Sequence, residues 1–158
     1  MPGDVLLIGI AQLAIVIAGF SAISATLLPA GSTWSPSQRI RLRIIVSTSL
    51  NVTFESLVPV IAFPALGDSR MAFVLASALT AIYLTGVVLV RTRQIARARA
   101  FRARSTQLIM SAAIGSIVLF ALNAVLFGSL TLFATALCTQ LLVATFSFYS
   151  LIASSPES

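Results

Sequence analysis

Apolar residues dominate five long stretches of the chain, and polar residues gather in the segments between them. The stretches are 5–28, 40–63, 71–90, 108–127 and 130–152. Each is long enough to cross about 30 Å of hydrocarbon, a distance that takes roughly 20 helical residues. The pattern therefore predicts an all-α fold, a polytopic membrane helix bundle with five transmembrane helices that form a single domain over residues 1–158.

Local signals mark two of the helix boundaries. Only Gly128 and Ser129 separate the last two stretches, whose combined length is about twice that of one span. The chain must fold back near this glycine, and we expect a tight helical hairpin there. At the start of the second helix, Ser35 is placed to cap the helix, and Pro36 occupies the first helical position, where a missing N–H costs nothing.

Arginine residues follow the first and third stretches and predict the orientation of the chain. Two crossings separate the two groups, so five spans place both on one face and leave Arg70 and Asp68 on the other. Short arginine-rich loops stay on the cytoplasmic side of a membrane. We therefore expect the N-terminus outside and the C-terminus in the cytoplasm. The two groups are Arg39, Arg41 and Arg43, and Arg91, Arg93, Arg97, Arg99, Arg102 and Arg104.

Composition narrows the chemistry that the chain can perform. Hydrophobic residues make up 58% of it and charged residues 9%, which excludes a soluble fold. The chain has no histidine and no lysine, and Cys138 is its one cysteine, so a zinc site or an activated nucleophile cannot be assembled. We expect no catalytic residue, no metal and no cofactor. Cys138 lies in an apolar run, and we expect it to be a small buried side chain.

The basic segment 91–104 contains neither glycine nor proline, so we expect it to extend the third and fourth helices beyond the membrane. Its arginines have two interpretations. They fix the orientation of the chain, or they form a surface for anionic lipid headgroups or a protein partner. Nucleic acid is excluded, because Phe101 is the one aromatic residue available for base stacking. The candidate lipid or partner contacts are Arg93, Arg97, Arg99, Arg102 and Arg104.

The second stretch carries a polar stripe near its middle. Ser47, Asn51 and Glu55 recur every four residues and so share one helix face. Glu55 lies about 18 Å along the helix from Arg43, near the predicted bilayer midplane, where an ionised carboxylate is costly. Gln140 is expected at a similar depth in the fifth helix.

Two hypotheses follow for this stripe. Glu55 is a proton-exchanging or cation-binding site with Asn51, Ser47 and Gln140 as neighbouring groups, which is the usual role of an ionisable residue inside a membrane. Alternatively, Glu55 is a neutral carboxylic acid that bonds to another helix and holds the bundle together.

A short motif suggests a biological setting. The run 18–21 (Ala-Gly-Phe-Ser), followed by Trp34-Ser35-Pro36 and by Arg-Leu-Arg at 41–43, resembles a group of small uncharacterised bacterial integral membrane proteins. The resemblance covers about the first third of the chain. It implies a multi-pass protein of the bacterial inner membrane and carries no function with it.

These observations favour a non-enzymatic small membrane protein. In the first interpretation it is an assembly subunit whose arginine-rich cytoplasmic face engages anionic lipid or a protein partner. The alternative is a proton- or cation-linked small transporter or channel that uses Glu55. A bundle of this size has little room for an enclosed pathway, so we expect a homo-oligomer or a place in a larger membrane complex.

Overall fold

Five α-helices account for nearly all of the described part of the chain. The computed structural model describes residues 1, 3–26, 36–97 and 104–152. The helices are α1 (Asp4–Thr26), α2 (Pro36–Leu66), α3 (Ser69–Arg97), α4 (Arg104–Leu122) and α5 (Leu130–Ile152), and a π-helical segment (Asn123–Phe127) follows α4. All five are long and apolar enough to cross a membrane, the fourth together with the π-helical segment. The predicted all-helical fold with five such helices is confirmed.

The helix bounds follow from local chemistry. Pro36 is the first residue of α2, as predicted, while Ser35 lies outside the described residues. At the other end of α2, Gly67 adopts a φ of 66°, and its N–H donates to the carbonyl of Phe63 at 2.9 Å. Asp68 then caps α3, because its Oδ1 accepts a 2.8 Å hydrogen bond from the N–H of Arg70.

The turn between α4 and α5 is the predicted tight hairpin. Gly128 adopts a φ of 58°, a left-handed conformation that side chains with a Cβ disfavour. Asn123 organises this turn from the start of the π-helical segment. Its Oδ1 accepts a 2.8 Å bond from the N–H of Ser129, and its Nδ2 donates at 2.8 Å to Oγ of Ser77 on α3. The hairpin is thereby joined to α3.

Helix α2 lies at the centre of the bundle and packs against α1, α3 and α5. A cluster of aromatic rings fills the core nearer the hairpin turn, where Phe133 contacts Phe73 and Phe120 at centroid distances of 5.7 and 5.3 Å. All three rings are buried. The same end of the bundle holds the first turn of α1, since Gly3 packs against Leu130.

Several sequence expectations are changed by the structure. Helices α2 and α3 extend beyond the predicted spans 40–63 and 71–90, and α3 continues to Arg97, whereas α5 has the predicted bounds. The expected extension of the third and fourth helices into the basic segment is confirmed for 91–97 and for Arg104. The expected burial of Cys138 is wrong, because this side chain is exposed. Its helix buries Ala136, Leu137 and Gln140 instead, and an apolar stretch does not by itself show which of its faces points inward.

Candidate functional site

Glu55 lies on the part of α2 that packs against α5 and is 5% exposed. Its Oε2 atom accepts a hydrogen bond of 2.6 Å from Nε2 of Gln140. The other oxygen, Oε1, is buried and has no hydrogen-bond partner among the residues that the structure describes. Leaving a buried acceptor without a donor is costly. Oε1 is therefore the atom at which a proton, a water molecule or a cation would be stabilised.

Two hydrogen bonds set the pairing of α2 with α5. One is the bond between Glu55 and Gln140, and the other joins Nη1 of Arg41 to the carbonyl oxygen of Ser150 at 2.6 Å. Glu55 follows Arg41 on α2, whereas its partner Gln140 precedes Ser150 on α5, so the two helices are antiparallel. The first turns of α2 and the last turns of α5 consequently lie at one end of the bundle, which we call the arginine end.

A second polar pair lies between Glu55 and the arginine end. Thr48 is seven residues before Glu55, and Ser147 is seven residues after Gln140. Seven residues are about two helical turns, or roughly 10.5 Å, so each residue shares the face of its helix with the corresponding member of the Glu55–Gln140 pair. Both are buried, and Oγ of Ser147 has no hydrogen-bond partner among the described residues. Ala144 lies between these two levels on α5.

In the opposite direction from Glu55 the interface is apolar. Ala136 and Phe133 lie four and seven residues before Gln140 on the same side of α5, and both are fully buried. Phe133 is the ring that contacts both other members of the aromatic cluster. Buried Pro59 lies four residues after Glu55 on α2. Polar groups therefore accompany Glu55 toward the arginine end, and apolar groups separate it from the hairpin end.

The other residues of the predicted stripe bond elsewhere. Oδ1 of Asn51 accepts a 3.0 Å hydrogen bond from the hydroxyl of Tyr83 on α3, at the surface of the bundle. The hydroxyl of Ser47 donates to the carbonyl of Ile44 at 3.3 Å. Neither side chain is hydrogen-bonded to Glu55. Of the four candidate groups, the structure thus joins Glu55 and Gln140.

The candidate arginine contacts are described in part. Arg93 is exposed near the end of α3, and Arg39 and Arg43 are exposed at the start of α2. Arg97 and Arg104 belong to α3 and α4 but their side chains lie outside the described residues, and Arg99 and Arg102 lie outside altogether. Asp4 and Asp68, in contrast, lie at the hairpin end.

Two contacts escaped sequence reasoning. The bond from Arg41 to the carbonyl of Ser150 could not be anticipated, because every helix ends in carbonyls and no side-chain type singles one out. The role of Asn123 did have a signal, since an asparagine shortly before a Gly-Ser turn in an apolar run is an expensive residue that needs partners.

Comparisons of the chain with protein-family models, with curated proteins and with solved structures found no match. Chemical capacity is therefore judged from the geometry. Within the described ranges no group of three or more His, Cys, Asp or Glu residues could hold a metal ion. A carboxyl group with one bonded and one open oxygen can take up and release a proton, or can act as a fixed hydrogen-bonding group.

Proposed function

We propose that the chain is a multi-pass protein of the bacterial inner membrane, with its N-terminus outside and its arginine end in the cytoplasm. Five sufficiently long apolar helices support this setting. So does the outer surface, where Val5, Ile61, Ile82 and Val125 are 73–81% exposed. The orientation rests on the arginines, which short cytoplasmic segments retain.

Its function in this setting is to bind anionic lipid headgroups at the arginine end, as a non-enzymatic subunit of a membrane assembly. One observation carries this proposal: Arg39, Arg43 and Arg93 are exposed at that end, and the described acidic side chains lie elsewhere. Unpaired arginines at the membrane surface attract anionic lipid, each by about 1 kcal/mol. The Glu55–Gln140 bond then serves to hold α2 against α5.

Two arginines on the same helix provide a matched test. Arg93 and Arg70 are both exposed on α3 but lie at opposite ends of the bundle. Native mass spectrometry with added anionic lipid should show that Arg93→Gln weakens lipid binding roughly fivefold, from a loss of about 1 kcal/mol. Arg70→Gln should bind as the unchanged protein does. Equal losses of lipid binding in both variants would contradict the proposal. So would a purified protein that carries a bound acidic protein at the arginine end and no lipid.

A second candidate function is proton- or cation-linked transport through Glu55. The observation that favours it is the open, buried Oε1 atom, which a purely structural hydrogen bond would not need. In vesicles containing the purified chain, Glu55→Gln should abolish an ion or proton flux while assembly persists. Arg93→Gln should leave that flux unchanged. A flux that survives Glu55→Gln excludes this candidate.

The bundle associates with further copies through α1. Gln12 is exposed in the middle of this helix and makes no hydrogen bond to a described residue. Gly9 and Gly19 are exposed on the same side, with open space where a Cβ would stand. In hydrocarbon such an amide is stabilised by a partner helix, and glycine allows that helix to come close.

A further inference from the structure

Glu55 has polar neighbours on one side and apolar neighbours on the other along the α2–α5 interface. Toward the arginine end lie buried Thr48 and Ser147, and the hydroxyl of Ser147 has no partner among the described residues. Toward the hairpin end lie Ala136 and Phe133. Oε1 of Glu55 and Oγ of Ser147, two of the three buried side-chain oxygens without a partner among the described residues, are thus on the same side of the aromatic cluster.

Two open polar atoms at successive levels of one interface are the groups that internal water bridges in proteins. The two levels are roughly 10.5 Å apart along the helix axis, which a short file of water molecules can span. Ala144 is fully buried between these two levels, and its side chain is a single methyl group. Beyond Ser147, the guanidinium of Arg41 is bonded to the carbonyl of Ser150 at the arginine end.

We infer that Glu55 exchanges protons with the arginine side of the membrane alone, through water held beside Ala144 and Ser147, and that the Phe133 cluster closes the opposite side. In this exchange a proton leaves hydronium for Oε1, and water remains. The inference deepens the second candidate function, the proton- or cation-linked one, by giving its site a direction of access.

No other described titratable group competes for this role. Glu55 is hydrogen-bonded to Gln140 and to none of the titratable side chains on the helices that pack against α2. Tyr83 is bonded to Asn51, and Cys138 is exposed. The described titratable side chains on these helices are Asp4 on α1, Arg70, Tyr83 and Arg93 on α3, and Cys138 and Tyr149 on α5.

Two buried alanines on α5 make a matched test. Ala136 and Ala144 lie four residues on either side of Gln140, and both are fully buried. In a Cys138→Ser background, each is replaced by cysteine and exposed to a small charged thiol reagent that does not cross membranes. Right-side-out and inside-out vesicles present the two sides, and Asp68→Cys, in an exposed turn, identifies the hairpin side.

We expect Ala144→Cys to react from the side opposite to Asp68→Cys, and Ala136→Cys to react from neither side. Reaction of Ala136→Cys, or of Ala144→Cys from the Asp68 side, overturns the inference. Protection of Ala144→Cys from both sides also overturns it. Ser147→Cys, a nearly isosteric change, gives the same readout if Ala144→Cys does not fold.

The unaltered protein provides an independent measurement. The infrared carboxyl band of Glu55, isolated by subtracting the Glu55→Gln spectrum, should respond to a pH step on the arginine side and not to one on the hairpin side. Ser147→Val should slow that response. If labelling is one-sided but no flux depends on Glu55, the transport function is contradicted and the one-sided access of Glu55 is supported. If a flux depends on Glu55 but labelling shows no access, or access from the hairpin side, this inference is contradicted and the transport function is supported.

Discussion

The bond between Glu55 and Gln140 illustrates how much one side chain can determine in an apolar interior. Gln140 supplies a donor to one carboxyl oxygen, and the other oxygen is left open. The stabilisation from one such bond is modest, but removal of the donor leaves a second buried acceptor without a partner. The two side chains are therefore coupled, and each should be measured in the presence and absence of the other.

Replacing Gln140 with leucine should lower the free energy of unfolding by about 1–3 kcal/mol, because the Glu55 carboxyl then loses its described donor. Unfolding of the detergent-solubilised protein by denaturant measures this change. Gln107, exposed on α4, is the matched control, and Gln107→Leu should stay within about 0.5 kcal/mol. Adding Glu55→Leu to Gln140→Leu should recover stability, and a purely additive double variant would refute the coupling.

At the scale of whole helices, two turns between helices that contain a glycine with positive φ differ in how much space they leave for a Cβ. Gly67 and Gly128 both adopt a positive φ, of 66° and 58°. A Cβ at Gly67 would meet open space, whereas one at Gly128 would lie 2.7 Å from Cγ of Arg70 and 3.1 Å from its carbonyl oxygen. The hairpin therefore needs glycine both for its backbone conformation and for its close approach to α3.

The pair Gly67→Ala and Gly128→Ala separates these two demands. Gly67→Ala should cost about 1–2 kcal/mol, the usual penalty for a left-handed residue with a Cβ. Gly128→Ala should cost more, because the contact with Arg70 adds to the same penalty. Thermal unfolding of both variants in one detergent gives the comparison. Equal losses would show that Arg70 moves aside without cost.

Across the whole molecule, charge and exposed polar groups are distributed unevenly. The described acidic side chains at the bundle ends, Asp4 and Asp68, lie opposite the arginine end. On the outer surface, the exposed amide of Gln12 interrupts an otherwise apolar face of α1. An end with one sign of charge suits a membrane surface, and a lone amide on a helix face suits a second helix.

Self-association is the property that Gln12 should control. Gln12→Leu is expected to weaken association of the protein in lipid by about 1 kcal/mol, roughly fivefold, since interhelical bonds of this kind contribute about that much. Energy transfer between labelled copies in vesicles measures the change, and Gln107→Leu again serves as the control. Unchanged association in Gln12→Leu would place any interface on another helix.

Sequence reasoning succeeded where one physical quantity was sufficient. Counting residues per span located five helices, and the expectation that Gln140 lies at the level of Glu55 agrees with the hydrogen bond between them. It failed for Cys138, because a lipid-facing and a core-facing position are equally apolar in a membrane helix. It also could not show that Asn51 bonds to Tyr83, since helix rotation decides which neighbour a polar stripe meets.

The hairpin between α4 and α5 has a consequence for synthesis of the chain. Two residues, Gly128 and Ser129, connect the π-helical segment to α5, and this is too little chain for one helix to cross a membrane while the next waits outside. In the proposed setting, the two helices leave the ribosome and enter the bilayer as one unit. Lengthening this turn with a flexible insert would let each helix cross by itself. The force that insertion exerts on the nascent chain should then show two peaks during synthesis, where the natural turn gives one.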